Sequence, residues 1–100
     1  HQLAFATEAY GRVFYRKMAA DYHRYIAWFS PGRVTQTAQS LYEAADEEAT
    51  MALACSDTLR LSLALNRAVF THDILVQRQV AIGIATTALE QVEKGKEAVS

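Results

Sequence analysis

Along this chain large apolar residues return every three or four positions, and a few turn-forming residues interrupt the series. That spacing is helical. A strand would alternate strictly, and no such run occurs, nor any Asn-Gly or Asp-Gly hairpin turn. Phe14, Met18, Tyr22, Tyr25 and Phe29 mark the apolar face of a first helix over 8–29. The stretch "FSPGRV" (29–34) ends it, because Pro31 disfavours helical geometry at Ser30 and Gly32 permits the turn. A second helix is predicted over 33–54, burying Val34, Ala38, Leu41, Tyr42, Ala45, Ala49 and Ala52. Glu43, Asp46, Glu47 and Glu48 form its solvated acidic face. Ser56 or Asp57 is predicted to cap a third helix over 58–76. Its sequence, "LRLSLALNRAVFTHDIL", is apolar nearly all round, as expected of a helix covered on several sides. After "VQRQ" a fourth helix over 79–98 uses Ile82, Ala85, Leu89 and Val92. Short connections favour antiparallel neighbours. The expectation is an all-α chain: one domain over 1–100, built as an antiparallel array of about four helices.

Composition narrows this picture. Only four Gly and one Pro in 100 residues leave few points where a helix can break. A hydrophobic share of 51% suffices for a modest core. Ten basic against eleven acidic side chains give a formal charge of −1, which argues against a nucleic-acid partner. The single cysteine, Cys55 in "MALACS", can form no internal disulfide and no zinc site, and it reads as a buried, inert thiol. The chain is compatible with a reducing compartment, and a cytoplasmic location is the expectation. No apolar run approaches the roughly 20 residues of a membrane span, so no membrane partner is expected. The opening "HQLAFATEAYGR" lacks the charged lead and apolar block of a signal peptide.

Two stripes carry polar chemistry. At about 100° per residue, Lys17, Asp21, Arg24 and Trp28 fall on one side of the first helix, with Tyr25 at the border of the apolar face. Two cations and a phenol suit a phosphate or carboxylate oxygen. The same spacing also suits an exposed stripe of ordinary i,i+3 and i,i+4 pairs. On the third helix Asn66, Val69, Phe70 and Asp73 fall on one side, within about 100°. Asn66 is either a satisfied core amide or a group offering donor and acceptor to a peptide backbone. Nothing points to an enzyme. His1, His23 and His72 have no nucleophile or metal partner at helical spacing, and His72 and Asp73, as sequence neighbours, are expected on different faces. No phosphate loop, dinucleotide turn or nucleophile elbow is present, and no cofactor or metal is implied.

"VFYRKMAADYHRYIA" (13–27) resembles the 14-3-3 family's signature around its fifth helix, and "LRLSLALNRAVFTHDIL" (59–75) its second signature. "AQSLYEAADEEA" is similar to the helix between them and "AIGIATTALEQV" to the helix after. The resemblance runs from about residue 8 to 95, the family's fifth to eighth helices. It implies part of an all-helical, dimeric adaptor without catalysis that binds phosphoserine or phosphothreonine segments of partner proteins in a groove. It further implies that Arg24 and Tyr25 grip the phosphate, that Lys17 reaches the bound peptide, and that Asn66 holds the peptide backbone. Leu65 and Val69 match apolar groove positions, and Asp73 stands where the family has a glutamate. Trp28 replaces an acidic residue, Ala20 a glycine, Ala19 a frequent lysine, His23 a tyrosine and Arg67 an aromatic, which marks a divergent member. Family members are more than twice as long. Their dimer interface, further cationic phosphate contacts and one apolar groove wall lie outside the matched region. The alternative is a structural helical scaffold that has lost phosphopeptide binding.

Overall fold

The computed structural model describes the backbone of residues 2–99 and the side chains of residues 7–95. It holds four helices: α1 (Gln2–Phe29), α2 (Arg33–Ala52), α3 (Thr58–Asp73) and α4 (Arg78–Val99). No strand occurs among the described residues, so the all-α expectation holds. α1 starts well before Glu8, since nothing in the preceding sequence breaks a helix.

The turns follow from particular residues. Between α1 and α2, Gly32 takes φ 143°, a conformation closed to side-chain-bearing residues, and the Thr35 N–H donates to its carbonyl at 3.0 Å. Asp57 caps α3, its Oδ1 accepting from the Leu59 N–H at 2.8 Å. α3 stops at Asp73 and the chain turns through Val76, a β-branched residue held at φ 55°. There the Gln77 N–H donates to the Thr71 carbonyl at 3.0 Å, which satisfies an orphan carbonyl at the helix end.

The chain divides into two compact units, one ending at Leu53 and the other beginning at Ala54. Each is an antiparallel pair of helices. In the first, Arg12 and Arg16 of α1 meet Glu48 of α2, and Asp21 meets Tyr42, so rising numbers on one helix meet falling numbers on the other. In the second, Arg60 Nη2 donates to Gln91 Oε1 at 3.2 Å, and Gly95 lies beside Ser56.

The first unit corrects the reading of α1. Phe14, Met18, Tyr22, Tyr25 and Phe29 do not face α2; they are exposed, Phe29 at 85%. The buried face is Ala9, Val13, Ala20 and Ala27, set against Ala38, Tyr42, Ala45 and Ala49 of α2. Small residues on both helices let the two backbones approach, and one partner helix cannot also cover the aromatic stripe. α4 repeats the shift: Ala81 and Ala88 are buried, while Ile82 and Leu89 lie open. α3 buries Leu59, Leu63, Ala68, Phe70 and Thr71, the last donating its hydroxyl to the Arg67 carbonyl at 2.8 Å. Cys55 is half-buried in the turn before α3.

Candidate functional site

The geometry of α1 decides where its polar stripe falls. Relative to the buried Ala20 and Ala27, Lys17, Asp21 and Arg24 sit on the shoulder of the face turned to α2. They are therefore mostly covered, their side chains only 15%, 18% and 15% exposed. Charges so placed need partners, and Asp21 supplies them. Lys17 Nζ donates to Asp21 Oδ2 at 3.1 Å. Arg24 Nη2 lies 3.8 Å from Asp21 Oδ1, an ion pair beyond hydrogen-bond length. The Tyr42 hydroxyl reaches across from α2 and donates to the same Oδ1.

Burial first, and then the Asp21 carboxylate, hold the Tyr42 phenol far above its ordinary value of 10.0, so it stays protonated and donates at any physiological pH. Arg24 acts on the same hydroxyl in the opposite sense. The Arg24 guanidinium carbon stands 5.0 Å from the centroid of the Tyr25 ring, a cation–π distance. Its Nε is buried and has no hydrogen-bond partner among the described residues. Tyr25 itself is exposed, and Trp28 after it is 61% exposed. The structure thus brings Lys17, Arg24 and Tyr25 together around Asp21, with Tyr42 as a member that helical spacing could not reveal.

The remaining candidates lie on α3, in the second unit. Asn66 is half-buried and hydrogen-bonded or otherwise partnered, while Leu65 and Val69 are open to solvent. Asp73 is paired with its neighbour: His72 Nδ1 donates to Asp73 Oδ1 at 2.7 Å. The expectation that these two point apart is therefore corrected. Adjacent side chains leave a helix about 100° apart, and the exposed imidazole and carboxylate close that gap through their own torsions. His23 Nδ1 donates to the Ala19 carbonyl at 2.7 Å, and His1 lies outside the described residues.

A second ionic cluster departs from the expected solvated acidic face. Glu48 is clasped by two guanidiniums: Arg12 Nε and Nη2 meet its Oε2 at 2.7 and 2.6 Å, and Arg16 Nη1 meets its Oε1 at 2.8 Å. The hydrogen bond from Arg12 leads in holding the Glu48 carboxyl below its ordinary value. Both arginines are committed to one carboxylate, so the cluster ties α1 to α2. No helix among the described residues is long and apolar enough to cross a membrane, and no group of three or more potential metal ligands gathers there.

A family model described as "14-3-3 protein" matches residues 1–99. The 14-3-3-like protein G-BOX factor 14 kappa of Arabidopsis thaliana is 40% identical over 95 residues, which cover 91% of this chain and 38% of that protein. The checkpoint signal transducer rad24 of Schizosaccharomyces pombe is 42% identical over 95 residues, covering 91% of this chain and 35% of that protein. Protein BMH2 of Saccharomyces cerevisiae is 38% identical over 94 residues, 90% of this chain and 34% of its own length. The chain thus spans little more than a third of the length of these relatives.

Proposed function

The chain belongs to the 14-3-3 family, and from that premise we propose that it is a phosphopeptide-binding part of a non-catalytic adaptor. The ligand is a phosphoserine or phosphothreonine segment of a partner protein. In the first unit Arg24 and Tyr25 contact the phosphate and Lys17 assists. In the second, Asn66 holds peptide backbone, and Leu65, Val69 and Asp73 meet peptide side chains. The whole protein acts as a homodimer in the cytoplasm. The name of the fission-yeast relative, a checkpoint signal transducer, suits a role in signal transduction.

The observation that carries this reading is the convergence of Lys17 and Arg24 on one carboxylate, with the exposed Tyr25 phenol beside them. Both cations are ordered in advance, so a phosphate meets donors whose freedom is already reduced. One observation favours the scaffold alternative: Asp21 offsets one of the two charges, leaving a net charge of one at the site.

Titration of the chain with a phosphopeptide and with its unphosphorylated twin, followed by NMR so that weak binding registers, separates the two readings. Preference for the phosphopeptide, abolished by Arg24→Glu and reduced several-fold by Arg24→Lys, is expected. Equal losses from Arg24→Glu and from Lys94→Glu on α4 would reduce the attraction to diffuse charge and remove the phosphate site.

A further inference from the structure

We propose that Tyr42 is a positioning residue that keeps Arg24 available to an anion by occupying the Asp21 oxygen onto which the guanidinium would otherwise close. The inference rests on the phosphopeptide reading above and assigns a role to a residue outside the set of phosphate contacts.

Arginine and a carboxylate three positions apart on a helix are free to form a close, forked pair, and the planar guanidinium suits that geometry. Here the pair stays open. Arg24 Nη2 stands 3.8 Å from Asp21 Oδ1, and Arg24 Nε is buried without a partner, although an acceptor lies on the next turn. The Tyr42 hydroxyl donates to that same Oδ1. Asp21 Oδ2 is meanwhile engaged by Lys17 Nζ at 3.1 Å. Each carboxylate oxygen therefore has a donor other than Arg24. The guanidinium is held near Asp21 by charge, over the Tyr25 ring at 5.0 Å and against the Tyr42 hydroxyl, without being saturated by the carboxylate. Tyr42 is 1% exposed and fixed in the seam between α1 and α2, so the ring cannot drift away from this position. Without its hydroxyl, Oδ1 loses a donor, and Arg24 Nη2 at 3.8 Å stands close enough to replace it.

Tyr42→Phe tests this without altering the charge of the site. In the full 100-residue chain, phosphopeptide affinity should fall about three- to tenfold, with the unphosphorylated twin unaffected. In an Asp21→Asn background the same substitution should change affinity little, because no carboxylate remains to capture Arg24; the double-mutant cycle reads that coupling directly. Asp21→Asn alone should bind the phosphopeptide at least as tightly as the parent chain, and this arm decides the matter if Tyr42→Phe does not fold by circular dichroism. Weaker binding by Asp21→Asn, no effect of Tyr42→Phe, or an equal effect in both backgrounds overturns the role of Tyr42 and leaves the phosphopeptide reading standing. Equal binding of both peptides by the parent chain overturns that reading, and the role of Tyr42 with it.

Discussion

Replacing Ala20 by leucine and Phe29 by alanine should produce opposite results from those a hydrophobicity pattern suggests. Ala20 is fully buried in the seam between α1 and α2, where Ala27, Ala38, Ala45 and Ala49 are buried as well. Leucine adds three carbons to a seam whose closeness depends on small side chains, and overpacking of this kind costs about 1–3 kcal/mol. Alanine and leucine have nearly the same helix propensity, so the loss reports packing and not the helix itself. Phe29 is 85% exposed. Full burial of a phenylalanine is worth about 1.5–3 kcal/mol, and the small covered remainder amounts to a few tenths. For a domain of this size each kcal/mol moves Tm by roughly 4–8 °C. Ala20→Leu should therefore lower Tm by about 4–24 °C and Phe29→Ala by no more than about 3 °C. Thermal melts followed by circular dichroism, at one protein concentration so that association through the aromatic stripe is held constant, measure both. Were the aromatic stripe the true core, Phe29→Ala would cost about 3–5 kcal/mol. A larger loss from Phe29→Ala than from Ala20→Leu would refute the assignment of the buried face.

Val76→Asn should stabilise the second unit by about 1 kcal/mol, since Val76 pays the left-handed penalty at φ 55° while its side chain is 80% exposed and buries little; a fall in Tm would contradict this. The Glu48 carboxyl is held below its ordinary value of 4.5, so the clasp by Arg12 and Arg16 contributes fully above that pH and fades as pH falls through the lowered folded value. Glu48→Gln should thus differ most from the parent chain at neutral pH and low salt, and melts in which the difference grows in acid would reverse the sign. Trp28, 61% exposed, should be quenched readily by acrylamide, and a blue-shifted, unquenchable emission would place it in a core.

The helices themselves were legible because their punctuation is chemical. Pro31 and Gly32 leave no continuous helix across 30–32, and Asp57 provides the side-chain acceptor that α3 needs at its start. Which face each helix buries was less legible, and the reason is the same on α1 and α4. Hydrophobic spacing is dominated by large side chains, whereas two helices meeting closely select for small ones. Ala9, Ala20 and Ala27 on α1, and Ala81 and Ala88 on α4, contribute little to any hydrophobic stripe, yet they are the residues that reach zero or near-zero exposure.

The candidate site divides along a similar line. Lys17, Asp21, Arg24 and Tyr25 share one helix, so their neighbourhood follows from residue spacing alone. Tyr42 is 21 residues from Asp21, and its ring fits the apolar stripe of α2 so well that the hydroxyl at its tip passes unnoticed. The structure explains why that hydroxyl matters. A stripe on the open side of α1 would leave its cations loose and fully hydrated, and pairs there contribute only a few tenths of a kcal/mol. On the shoulder of the α1–α2 seam the same residues are mostly covered, so each charge has to be answered by another group. Asp21 answers two cations and Tyr42 in turn steadies Asp21. Order at this site is therefore obtained at the expense of net charge, and under the proposed reading the ligand has to bring enough negative charge to outcompete one carboxylate. A phosphate dianion carries that charge; a neutral serine does not.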